Sequence, residues 1–93
     1  MYISYGYPRA LKAEKITAQD ADMHSGIVTL DTCGLSAQIK MISGGAHVCG
    51  KGGIPSENAY TLSEGEILCF SGVLKILPQS DAMDTRILYF DSI

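Results

Sequence analysis

The residues best suited to chemistry in this chain lie in one glycine-dense stretch, Gly44-Gly45-Ala46-His47-Val48-Cys49-Gly50-Lys51-Gly52-Gly53. Within it, Gly45-x-x-x-x-Gly50-Lys51 matches most of a phosphate-binding loop, in which glycine amides cradle phosphates and the lysine reaches the terminal ones. The match stops there, because such a loop needs Ser or Thr after the lysine to hold Mg²⁺ and Gly52 occupies that place. Ile54-Pro55 follows instead of a helix, and 93 residues are too few for the parallel α/β domain that carries this motif. The signature is therefore not that of a nucleotide hydrolase. A lesser role survives: consecutive glycines can turn several backbone N–H groups towards one anion, with Lys51 adding positive charge. Gly44, Gly45, His47, Gly50, Lys51, Gly52 and Gly53 are accordingly the candidates for holding a phosphorylated small molecule or nucleotide. The plainer alternative is that the glycines are turn material between strands and Lys51 is simply solvated.

Soft ligands are present in Cys33, His47, Cys49, Cys69 and His24, but structural zinc sites repeat a close ligand pair twice, and only His47-x-Cys49 is close. In a strand those two residues share a face, so a site completed by Cys33 or His24 is the one arrangement open to zinc or to thiol chemistry. Cys69, inside the apolar run 67–70, reads as core. Gly-x-Ser-x-Gly does not occur. Asp20 with Asp22, and Glu64 with Glu66 around Gly65, read as solvated turns. These residues predict no catalytic centre, no metal and no cofactor.

Charged residues make up only 18% of the chain against 46% apolar, a balance that folds rather than staying disordered. The net charge of −3 supplies no basic field for a nucleic-acid polymer. No apolar stretch approaches the roughly 20 residues that cross a bilayer as a helix, and the N-terminus lacks the pattern of a secretory signal. With three cysteines, an odd number and too few for a disulfide scaffold, the expectation is a cytoplasmic protein with free thiols. Sparse charge and positive mean hydropathy (+0.14) suggest that part of the surface is covered by another copy or a partner. Tyr2, Tyr5 and Tyr7, beside Pro8, are the interface candidates: amphipathic rings on a predicted edge strand that either pair with a second subunit or cover the rim of the chain's own core.

The elements that must position these residues are mostly strands. Residues 27–32 and 35–42 flank Cys33-Gly34, and 66–70 and 73–77 flank Ser71-Gly72, which predicts two tight hairpins. In the second run Leu35, Ala37, Ile39 and Met41 alternate with Ser36, Gln38 and Lys40, the period of a strand with one face buried. The near-continuous apolar run around Ser71-Gly72 predicts a central position covered on both faces, or on one face by a subunit. Residues 85–90 form a last strand with Ile87 and Tyr89 on one side and Leu88 and Phe90 on the other. Residues 2–7 read as a strand ended by Pro8, and residues 9–21 as a strand or a short helix, the strand being favoured. The fold expected is a single mainly-β domain over residues 1–93, a small antiparallel barrel or two-layer sandwich of about six to eight short strands. The function that fits is a non-catalytic binding or interaction protein that self-associates, such as a small accessory or inhibitory protein of a phage or mobile element. The alternatives are sequestration of a phosphorylated ligand at 44–53 and, third, a Cys/His enzyme or metal site.

Overall fold

The computed structural model describes residues 10–56 and 59–91, so the predicted strand at Tyr2 to Tyr7 lies outside the described residues. Six strands are present: β1 (Ala10–Thr17), β2 (Val28–Ser43), β3 (Ala46–Cys49), β4 (Tyr60–Leu62), β5 (Ile67–Pro78) and β6 (Asp84–Phe90). They form one antiparallel sheet in the order β1-β6-β2-β5-β3-β4. The domain is mainly β, as the alternation predicts, but the sheet is not closed into a barrel. Within the 9–21 region the described residues form β1 followed by a single 3₁₀ turn (Ala18–Asp20).

Both predicted hairpins are absent, and this is the main correction. Residues 28–43 run on as one strand and residues 67–78 as another, and the two pair with each other. Cys33 (φ 51°) and Gly34 (φ 90°) do adopt the left-handed conformations that a reversing turn demands. Yet the ladder passes from Asp31↔Val73 to Ser36↔Ser71, so the four residues 32–35 face the single Gly72. The feature is a large, irregular bulge. Side chains replace its missing ladder bonds: the Gly72 N–H donates to Thr32 Oγ1 (2.7 Å), Ser71 Oγ donates to the Leu35 carbonyl (3.0 Å), and Cys33 N–H donates to Asp31 Oδ1 (2.9 Å). Each half of β2 gains more by facing β5, where Leu30 meets Leu74 and Ala37 meets Phe70, than by folding back on the other half.

The bulge also changes which residues point inward. Before it Val28, Leu30 and Thr32 are buried, and after it Ala37, Ile39 and Met41. The sheet thus has two halves sharing β2 and β5: β1-β6-β2-β5 on one side of the bulge and β2-β5-β3-β4 on the other. Both supply a single core in which all six strands take part, from Ile16 and Ile87 to Val48, Leu62 and Ile76, with Met83 inserted from the β5–β6 connection. One cluster fed by both halves requires the open sheet to bend at the bulge and bring its inner faces together.

Ile87 and Tyr89 point into this core and Leu88 and Phe90 away from it, as their alternation predicts. β5 is central, between β2 and β3. It is not covered on both faces, however: Ile67 is 51% exposed and Cys69 is exposed, which corrects the expectation that Cys69 belongs to the core.

Candidate functional site

The glycine-dense stretch does not form one loop. Gly44 and Gly45 make the β2–β3 turn, both with left-handed φ (87° and 78°), while residues 46–49 are β3 and residues 50–53 form a separate turn closed by Gly53 N–H donating to the Gly50 carbonyl (3.3 Å). A Cβ on Gly44 would lie 2.6 Å from the Met83 nitrogen and 2.7 Å from its Cα, and one on Gly45 would meet the Gln79 side chain. These two glycines are therefore required by close packing against the β5–β6 connection, which Gln79 N–H fastens to the Gly45 carbonyl (3.1 Å). Lys51 is exposed at the second turn, where Gly50, Gly52 and Gly53 have ordinary φ values. Gly44 and Gly45 thus stand before one end of β3 and Lys51 beyond the other.

His47 and Cys49 share a face of β3, as their spacing predicts, but they serve different neighbours. His47 Nδ1 lies 3.1 Å from Thr61 Oγ1 on β4, and Cys49 packs against Gly53. Cys33 sits in the bulge of β2 and Cys69 on the outer face of β5; all three cysteines are unpaired. Among the described residues no group of three or more His, Cys, Asp or Glu side chains is placed to hold a metal ion. Asp20, Asp22 and Glu66 each fasten a turn. Asp22 Oδ2 accepts from the N–H groups of His24 and Ser25 and from the Ser25 hydroxyl, which holds its carboxyl below the usual carboxylate range, and Glu66 Oε1 accepts Ser63 N–H (2.7 Å).

Two features escaped the sequence reading. The first is an open cleft of about 360 Å³ between the 3₁₀ turn and the end of β5, floored by Ala18, Ala21, Leu77 and Pro78 and rimmed by Gln79 and Asp81. It offers an apolar floor with a few polar groups. The Ser80 hydroxyl there accepts Ala82 N–H (3.2 Å), so its place is in the turn.

The second lies on the outer face of the β1-β6-β2-β5 half. Lys15 is directly across from Arg86, Arg86 from Lys40, and Lys40 from Ile67. Residues directly opposite in a ladder share a face, so one row perpendicular to the strands carries three cations and then an isoleucine. With strands about 4.8 Å apart, the cations span roughly 9.6 Å. Arg86 bonds to Asp84, two residues along β6. Lys15 and Lys40, both exposed, have no carboxylate partner among the described residues. Lys75 differs, since its ammonium donates to the Gly53 carbonyl (3.1 Å). The neighbouring row is Ala13, Leu88, Gln38 and Cys69, and Ile42 projects from a small bulge between Met41 and Ser43. Ile42 (39%), Ile67 (51%) and Leu88 (37%) are all exposed, so the cations stand beside unburied aliphatic surface. Each cation appears in the sequence as an ordinary polar residue of an alternating strand; only the register between three strands far apart in sequence brings them together.

Comparison with family models, curated proteins and solved structures finds no match to this chain.

Proposed function

We propose that this chain is a non-catalytic interaction module that engages a partner through the outer face of its β1-β6-β2-β5 half. The observation that carries this reading is the exposure of Ile42, Ile67 and Leu88 on the face that also bears the Lys15, Arg86 and Lys40 row. Scattered surface aliphatics are ordinary, but a patch of them beside like charges leaves surface that a partner would favourably cover. A photo-crosslinking residue installed at Ile67 in the living host tests this. A discrete adduct from position 67, missing when the same residue replaces Met23 on the distant 21–26 loop, supports the module; no adduct from position 67 overturns it.

Self-association has its own observation in its favour. Among the described residues β1 is an edge strand, and Lys12 and Glu14 lie on one of its faces, the Lys12 ammonium over the Tyr89 ring and Glu14 Oε1 accepting from the Tyr89 hydroxyl (2.9 Å). An antiparallel second copy centred on Ala13 would set Lys12 of each chain across from Glu14 of the other, giving two reciprocal ion pairs while covering both edges. Sedimentation velocity should then show a dimer that Lys12→Glu weakens and the swap Lys12→Glu/Glu14→Lys restores. A monomer at all concentrations rejects the pairing.

A further inference from the structure

We infer that the partner seated on this outer face is an acidic polypeptide segment, whose carboxylates meet Lys15, Arg86 and Lys40 and whose apolar side chains rest on Ile67, Ile42 and Leu88. The inference rests on the docking-face reading above and adds the chemistry of the ligand. Three of the seven Lys and Arg residues of a chain with net charge −3 stand in consecutive cross-strand positions. Like charges directly opposite in a ladder weaken it. A local arrangement that works against its own sheet, and has among the described residues only Asp84 as an internal counter-ion, marks a surface shaped for something outside the domain.

The chemistry of that ligand follows from what surrounds the row. Aliphatic side chains flank the cations, so a complementary ligand alternates negative with apolar groups, as an acidic polypeptide does and a phosphate polymer does not. In an extended segment, side chains on one face recur about every 6.7 Å, so two carboxylates at alternate positions fall within the reach of three long, flexible cations. A bilayer is the weaker fit, because three basic residues contribute only about 1 kcal/mol each near an anionic surface and the rest of the domain is net acidic. A second copy of this chain is weaker still, since a two-fold contact centred on this face sets cation row against cation row.

The test is a ¹H–¹⁵N titration of the full chain at low ionic strength with three probes. They are a soluble synthetic peptide in which glutamates alternate with leucine and serine, inorganic polyphosphate, and vesicles of one part phosphatidylserine to two parts phosphatidylcholine. The glutamate peptide should shift the amides of Lys15, Lys40, Ile67 and Arg86, with binding that weakens as salt is added. The same peptide with glutamine for glutamate should bind at least tenfold more weakly, as should the Lys15→Glu/Lys40→Glu variant with the glutamate peptide. Both residues are exposed, and an unchanged amide pattern elsewhere confirms that this variant is folded. Equal binding of the glutamine peptide overturns the acidic-segment inference and leaves the docking face standing on its apolar surface. Shifts of the row by polyphosphate or vesicles but not by the glutamate peptide also overturn it, by assigning the face to another ligand. If no probe moves the face, the inference falls, and the crosslink from position 67 then decides the docking reading separately.

Discussion

Gly44 and Gly65 form a matched pair that separates backbone conformation from packing. Their φ values are nearly the same, 87° and 86°, and both occupy turns between consecutive strands. Alanine at such a φ costs about 1–2 kcal/mol relative to glycine, because Cβ crowds the adjoining carbonyl. At Gly65 nothing lies within 4 Å of the new methyl, so that is the whole expected loss. At Gly44 the methyl would stand 2.6 Å from the Met83 nitrogen and 2.7 Å from its Cα. These are backbone atoms of a connection held by Ser43 Oγ donating to the Ala82 carbonyl (2.8 Å) and by Ala18 N–H donating to the Met83 carbonyl (3.2 Å), and no side-chain rotation relieves the overlap. Overpacking adds about 1–3 kcal/mol, for a total loss of roughly 2–5 kcal/mol from a domain of this size whose whole stability is about 5–14 kcal/mol. With an m-value of about 1.5 kcal/mol/M in urea, the midpoint should fall by about 1 M in Gly65→Ala and further, by about 1.3–3.3 M, in Gly44→Ala. Equal midpoints with unchanged slopes would refute the close approach of the β2–β3 turn to the β5–β6 connection, and with it the structural reason for the first glycine pair.

Three further outcomes follow from individual contacts. Thr85 is fully buried and its hydroxyl donates to the Ile16 carbonyl (2.7 Å), so Thr85→Val should lower the unfolding free energy by about 1–2 kcal/mol in denaturant melts, and Ser at this position should recover part of the loss. The Tyr89 phenol is pushed up to about 12 by burial and, secondarily, by its hydrogen bond to Glu14. Its folded value exceeds the unfolded one near 10, so the contribution is complete below about pH 10 and is lost as pH rises towards 12. Absorbance titration at the phenolate band should show a late step that Tyr89→Phe removes, and a Tyr89→Phe variant that instead loses absorbance change at ordinary alkaline pH would contradict the burial of this ring. Lys40→Glu, which places an anion across from Arg86, should raise stability by about 0.5 kcal/mol at low salt and less at high salt; a destabilised variant would mean that the row is not held in the described register.

Much of the fold was legible because burial alternates locally. The inward set Ala37, Ile39 and Met41 and the split of Ile87 and Tyr89 from Leu88 and Phe90 both follow from period-two patterning along a single strand. Cys69 was misplaced for a related reason: a continuous apolar run says that both faces are apolar, not that both are covered. β4, only three residues long, carries no readable period. The candidate surface was invisible, since Lys15, Lys40 and Arg86 lie far apart in the chain and each obeys the local rule for a solvent-facing strand position.

The sequence by itself determined the class of the domain, the inward faces of its main strands, and the positions where the backbone must take left-handed conformations. At Gly34 and Gly72 those conformations occur as glycine favours, and Cys33 (φ 51°) shares them although cysteine is unusual there. What they do there was decided only by the tertiary structure. A pair of left-handed residues serves a reversing turn and a large bulge alike, and the choice depends on whether residues 28–31 find their partners within β2 or across β5. The same long-range pairing fixes the register between β1, β6 and β2, and so gathers three separate cations into one row on an otherwise acidic protein.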